Sequence, residues 1–334
     1  MLKLDDIIGE EQIKEHFKTA IAQDKVSHAY IFEGEAGCGK KTLAYAFAKM
    51  IQCEKGDGTA CGVCHSCIQA DSMNHPDIIT VTHKSVSTIG VDDVRTQIVN
   101  DIDIKPYNGR RKIYIVPDAE LMTNEAQNAL LKTFEEPPAY GVIMLLATNT
   151  GRFLPTILSR SVKLTVKPVD NRKVYDYLEQ HYTLSKEELR FATEYAYGNI
   201  GKACRAVESE EFQEIKEMCL HMVKHIPEWD IPEMIFSVKE AAKHKILMDD
   251  YLDVMSMWFR DVLLVKVTKN PNKLIFREYY STLNSQAKYI SYEGIEDIIR
   301  AIDNTKVRLN ANVSLEAALE LLLFRIKEHL KWMK

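Results

Sequence analysis

Two apolar patterns share the first half of the chain, and only one continues into the second. Unbroken apolar runs stand at Tyr30-Ile31-Phe32, at Ile113-Tyr114-Ile115-Val116 behind Lys112, and from Val142 to Ala147. Runs of this kind suit strands buried on both faces of a parallel sheet. Ile78–Val81 reads as a further buried strand and Val162–Val166 as the last one. Between the strands the apolar spacing is helical. One helix runs through about Gln23 on Ile13, Phe17 and Ile21, and others span Leu43–Ile51, Ile68–Met73 and Val91–Asn100. Asp92-Asp93 opens the last of these, at the end where the helix dipole favours acids. Asn124–Glu136 is a helix stopped by Pro137-Pro138, and Leu154–Leu158 is a short one. Alternation of strands and helices predicts an α/β domain with a parallel sheet covered on both faces.

From Pro168 onward the pattern is helical only. Asn171–His181, Lys186–Tyr197 and Ile200–Ser209 predict a small three-helix unit. Longer helices follow at roughly 211–225, 231–244, 247–268, 275–289, 292–308 and 313–332. The stretch Ser314–Phe324 carries an apolar stripe wider than one bundle face needs. Burial in its own bundle and packing in an oligomer account for it equally well. The expected division is an α/β domain at 1–167 with an insert at about 53–67, a small helical domain at 168–209 and an all-α domain at 210–334.

A chain of 334 residues needs more than one core, and 46% hydrophobic with 27% charged residues is an ordinary globular balance. The formal net charge of −5 predicts no general attraction to DNA or to membranes. Met1 to Glu10 carries acids and lacks the apolar core of a signal peptide. No run approaches the roughly 18 apolar residues of a membrane span. A cytoplasmic location is expected, and there seven cysteines point to thiols or metal rather than disulfides.

Two stretches carry chemistry. Gly34-Glu35-Ala36-Gly37-Cys38-Gly39-Lys40-Lys41-Thr42 follows the first strand and opens a helix, with the spacing of a phosphate-binding loop. Glycines let backbone N–H groups surround phosphate oxygens, and the lysine adds a charge on the outer phosphates. A hydroxyl for magnesium belongs next, and Lys41 stands there. Thr42 comes one residue late, rotated about 100° around the helix. The loop therefore looks built to hold ATP or ADP and poorly built to use it.

The second stretch places Cys53, Cys61, Cys64 and Cys67 within fifteen residues of a glycine-containing loop. Four thiolates with a Cys-x2-Cys turn suit structural zinc, in a closed site with no place for catalysis. Cys61-Gly62-Val63-Cys64-His65 also matches a haem-attachment motif, without an export signal and with two cysteines to spare. Cys64-x2-Cys67 as a redox pair lacks the preceding strand, and unliganded structural thiols complete the alternatives. His28, at the entry of the first strand, reads as a packed or capping histidine.

Asn128-Ala129-Leu130-Leu131-Lys132-Thr133-Phe134-Glu135-Glu136-Pro137-Pro138 resembles the signature helix of bacterial clamp-loader AAA+ subunits. Leu146-Ala147-Thr148-Asn149 and Ile157-Leu158-Ser159-Arg160-Ser161 resemble further motifs of that family, the latter close to its Ser-Arg-Cys motif. The four-cysteine insert, Asn74-His75-Pro76-Asp77 and the C-terminal helix fit as well, so the resemblance spans essentially the whole chain. It implies an AAA+ P-loop NTPase-like domain, a helical lid and a helical collar, in a hetero-oligomer with gamma/tau motor and delta subunits. It further implies a role in DNA replication, with the sliding clamp and primed DNA met through the complex.

Three departures from the motor subunits stand out. Pro117 and Asp118 replace the Asp-Glu pair expected after the strand, Lys41 replaces the magnesium hydroxyl, and Gly201 falls where motor subunits place an arginine on the outer phosphate. Positioning and charge neutralisation are most of the catalysis in phosphoryl transfer, so little intrinsic hydrolysis is expected. Arg160 falls at the family's arginine finger, which implies a charge offered to a neighbour's ATP site. A surface arginine paired with a local acid is the plainer alternative. A gamma/tau-like motor remains a rival, as does a free-standing P-loop enzyme acting on a small molecule.

Overall fold

Alternate side chains of the central strands enter opposite cores, and this sets the first layer of the fold. The computed structural model describes residues 4–330 apart from Val86 and Asn312. Met1, the end of the last predicted helix at 331–332, and Val86 of the loop at 82–88 lie outside the described residues. Five strands form one parallel sheet: β1 (Ala29–Glu33), β2 (Ile78–Thr80), β3 (Lys112–Val116), β4 (Gly141–Ala147) and β5 (Val162–Thr165), ordered β2-β3-β4-β1-β5.

Tyr30, Phe32, Ile113, Ile115, Val142, Met144 and Leu146 face one core. They meet Phe17 of α1 (Glu11–Ala22) and Leu43 and Phe47 of α2 (Lys40–Gln52). Phe17 and Phe47 stack with ring centroids 3.9 Å apart. Ile31, Tyr114, Val116, Ile143 and Leu145 face the second core. There they meet α4 (Val91–Val94), α5 (Asn124–Glu135) and α6 (Pro155–Arg160), while α3 (His65–Asp71) follows the cysteine loop and packs on α2. Burying each of the large side chains contributes about 1.5–3 kcal/mol.

Several elements depart from the sequence reading. β2 is half-buried rather than buried, because it is an edge strand paired only with β3. The helix expected over Val91–Asn100 is α-helical only to Val94 and becomes a π-turn over Arg95–Val99. The side-chain amide of Gln97 donates to the carbonyls of Thr82 at 2.6 Å and Asp93 at 3.2 Å, competing with the regular ladder. The helix after the phosphate loop starts at Lys40, three residues earlier than Leu43, so Lys41 and Thr42 lie in its first turn. Arg160 is the last residue of α6 rather than beyond it.

The chain divides into two units, Met1–Asp170 with Asn199–Gly201, and Asn171–Gly198 with Lys202–Lys334. The second is all helical: α7 (Asn171–His181), α8 (Lys186–Ala196), most of α9 (Ile200–Glu208), α10 (Glu210–His225), α11 (Ile231–Ala242), α12 (Met248–Thr268), α13 (Tyr280–Tyr289), α14 (Tyr292–Asn310) and α15 (Leu315–Leu330). α12 is its axis, buried through Leu252, Met255, Trp258, Phe259 and Val262, and α10, α13 and α14 pack around it. Trp258 donates to Gln286 at 2.8 Å, and Gln286 donates to the Val223 carbonyl at 2.7 Å, joining α12, α13 and α10 through a satisfied buried network. On α15, Ala318, Leu319, Leu322, Leu323, Ile326 and Leu330 are buried, whereas Leu321 and Phe324 are exposed. The wide stripe is thus only partly used by its own bundle.

The helix expected over 275–289 begins at Tyr280 after a 3₁₀ turn at Arg277–Tyr279. Asp261 is the cause: its buried carboxylate accepts the N–H groups of Ile275 at 2.7 Å and Phe276 at 2.8 Å, holding that segment out of helix. Burial pushes this carboxyl up to about 6 from 3.8. The folded state therefore holds the proton more tightly than the unfolded one. The stabilisation is complete below the unfolded value and is lost as pH rises through about 6. The stability change accumulated between these values amounts to about 3 kcal/mol. Asp261→Asn keeps an oxygen for the two N–H groups and removes the titration. Urea unfolding across this pH range is expected to be flatter for the variant, and an unchanged slope would refute the assignment.

Candidate functional site

The phosphate loop leaves the carboxyl end of β1, where the Gly34 N–H donates to the Ala147 carbonyl of β4 at 3.1 Å. Crevices at the carboxyl ends of parallel strands are where open α/β sheets bind ligands. Gly39, the residue before α2, has φ 93°, a left-handed conformation suited to glycine. Lys40 folds back on its own loop, donating to the carbonyls of Gly34 at 2.6 Å and Glu35 at 2.8 Å. Gly34, Gly37, Gly39, Lys40, Lys41 and Thr42 are thus brought into one turn. Lys41 is exposed, with its ammonium 6.0 Å from the Tyr45 ring centroid one turn along α2.

Asn199–Gly201 belongs to the same unit as the loop. The Asn199 amide donates to the Ala36 carbonyl at 2.8 Å, and the Gly201 N–H donates to the Gly37 carbonyl at 3.2 Å. A Cβ at Gly201 would lie 2.4 Å from that carbonyl oxygen, so the approach requires glycine. At the end of β3, Pro117 is followed by Asp118, exposed and with φ 48°. Two carboxylates missed in the sequence line the strand ends. Glu33 accepts from the Thr150 N–H at 3.1 Å and pairs with Lys163 at 2.7 Å, contacts that hold its carboxyl below the usual range, Lys163 most strongly. Glu120 accepts from the Thr148 N–H at 3.0 Å. Neither pairing has a periodic signal, because both depend on strand order. His28 lies edge-on to Phe134 with ring centroids 6.3 Å apart, as a packed residue.

The four cysteines converge. The sulfurs of Cys53, Cys61, Cys64 and Cys67 all lie within 4.8 Å of one another. Backbone N–H groups point at three of them: Cys61 at the Cys53 sulfur (3.4 Å), Cys64 at the Cys61 sulfur (3.3 Å) and Cys67 at the Cys64 sulfur (3.4 Å). N–H groups of Val63 and Cys64 draw the Cys61 thiol down to about 6, whereas burial pushes Cys67 up. Convergent sulfurs that accept backbone N–H bonds fit a metal ion able to hold thiolates. An ion pair between buried Lys49 and half-buried Asp71, at 2.6 Å, ties α3 of this module to α2.

Arg160 ends α6 at the surface, with its Nη2 3.3 Å from the Glu135 carboxylate and its Nη1 donating to the Thr156 carbonyl at 3.3 Å. α6 is positioned by Gln127, a buried residue of α5 that accepts from the Leu154 N–H at 2.8 Å and donates to the Arg152 carbonyl at 3.0 Å. Arg160 is exposed, and its guanidinium has more N–H donors than these two contacts use.

The sheet order, the loop after β1 and the covering helices define a P-loop NTPase-like AAA+ domain. A gamma subunit-related protein of DNA polymerase III from Thermotoga maritima MSB8 shares this fold, with a TM-score of 0.51 and 18% identity over 95% of this chain and 99% of that one. The family model described as DNA polymerase III, delta subunit matches residues 9–170. Subunit delta′ of DNA polymerase III from Bacillus subtilis strain 168 is 27% identical over 313 residues, covering 92% of this chain and 93% of the relative. Subunit tau/gamma from Haemophilus influenzae is 35% identical over 188 residues, which are 56% of this chain and only 26% of that protein. The chain is thus similar to subunits of DNA polymerase III, delta′ over most of its length and tau/gamma over about half of it. Among the described residues no helix is long and apolar enough to cross a membrane.

Proposed function

We propose that this chain is the non-motor, delta′-like subunit of a bacterial clamp loader. In this role it helps load the sliding clamp onto primed DNA in the cytoplasm and lends Arg160 to an ATP site on a neighbouring subunit. Lys41 is the observation behind the non-motor assignment. Where a hydroxyl would hold magnesium, an exposed ammonium turns toward Tyr45 instead. Pro117, Asp118 and Gly201 support it, since none supplies the ligand, base or cation that motor subunits place there. Residues 168–209 serve as a lid and 210–334 as a collar, and the exposed Leu321 and Phe324 of α15 suit packing against gamma/tau and delta collars. Zinc held by Cys53, Cys61, Cys64 and Cys67 keeps the insert folded and takes no part in turnover.

Lys40 and the loop backbone remain able to hold ATP or ADP, which keeps a gamma/tau-like motor as the second reading. Purified chain assayed alone separates the two. ATP turnover is expected to be no higher than for Lys40→Ala, and the chain is expected to co-elute with gamma/tau and delta subunits. Magnesium-dependent hydrolysis that disappears in Lys40→Ala would make the chain a motor.

A further inference from the structure

Glu135 occupies an awkward place on α5. It is the last helical residue, at the end where the helix dipole disfavours an acid. Glu136 follows, and Pro137 then prevents the helix from continuing. Helix stability therefore gives no reason for a carboxylate here. Among the described residues it pairs with Arg160, from the last turn of α6, at 3.3 Å. The same guanidinium donates to the Thr156 carbonyl one turn back in its own helix. Two acceptors from two helices thus fix the plane of the fork, and N–H donors are left for an external anion.

We propose that Glu135 is a positioning residue that orients the Arg160 guanidinium for delivery to the neighbour's ATP site. The proposal rests on the finger role given to Arg160 above. An arginine has a long, rotamer-rich stem, and a charge aimed at a transition state works best when its orientation is set beforehand. The carboxylate acts through Arg160 and needs no contact with nucleotide. Both side chains are partly exposed, at 37% and 52%, so solvent screens the pair and its effect is modest.

A double-mutant cycle in the reconstituted clamp loader tests this, read as ATPase stimulated by clamp and primed DNA. Glu135→Ala is expected to lower kcat at the adjoining site about two- to fivefold, the range open to an exposed ion pair, with KM for ATP unchanged. Glu135→Gln keeps the acceptor oxygen and should restore part of the loss. In an Arg160→Ala background, Glu135→Ala should have no further effect. Equal thermal melts for the variants would show that α5 is intact. If Arg160→Ala lowers turnover but Glu135→Ala does not, or if the two losses multiply, the positioning role is overturned while the finger stands. A faster Glu135→Ala enzyme would make Glu135 a competitor for Arg160, also against the proposal. If Arg160→Ala itself has no effect, both fall.

Discussion

Arg160→Ala, built into an otherwise complete clamp loader, is expected to silence the one ATP site that adjoins this chain. Arginine fingers in related phosphoryl-transfer systems contribute about 10³–10⁵ in rate, so the affected site should fall to background. The whole complex then loses that site's share of DNA-stimulated turnover, and sites served by other subunits continue. The side chain stands at the surface, where a neighbouring subunit could meet it. Its partners, the Glu135 carboxylate and the Thr156 carbonyl, are both at 3.3 Å, and the Glu135 pair lies at the surface, where ion pairs are weak. Arg160→Lys should not rescue, because an ammonium lacks the planar fork. Single-turnover ATP hydrolysis by the assembled complex, with and without primed DNA, is the measurement. Unchanged rates and amplitudes for Arg160→Ala would reduce Arg160 to a local surface pair.

Removing the metal is expected to have the second-largest effect, this time on folding. Structural zinc in small four-ligand sites contributes about 10–16 kcal/mol of apparent binding energy at neutral pH in peptide systems. The insert from Cys53 to Cys67 contains Gly56, Gly58 and Gly62 at positive φ and has little regular structure before α3. Without a cross-link, the sulfur cluster leaves this loop few reasons to stay closed. Metal analysis should find near-stoichiometric zinc in the purified chain, and Cys64→Ser should lower it sharply. Hydrogen exchange in the variant should quicken from Cys53 through α3, with the sheet unaffected. A wild-type chain that contains no zinc would return the four cysteines to unliganded thiols.

Local chemistry was the legible part. The phosphate loop and the cysteine spacing each lie within one short stretch, so residue type and separation were enough to propose them. The central strands were legible too, since burial on both faces leaves an unbroken apolar run. The edge strand β2 misled because Ile78 and Ile79 look like core residues, while half-burial follows from having one neighbour. The π-turn was hidden in side-chain competition by Gln97, and the delayed start of α13 in the reach of Asp261 across the fold. Carboxylate pairings at the strand ends were equally out of view. Glu33 and Thr150 are 117 positions apart, and only strand order brings them together.

The contact between Gly201 and the phosphate loop bears on whether a motor could be recovered from this chain. An arginine placed at position 201 would bring its Cβ within 2.4 Å of the Gly37 carbonyl oxygen, a clash that requires the loop to shift. The backbone bond between these residues would have to open before the new charge could reach a phosphate. Lys41 and Pro117 would still need reversal. A side chain at position 201 is therefore opposed by the shape of the phosphate loop itself, so a single substitution there is expected to disturb the loop before it adds a charge to the site.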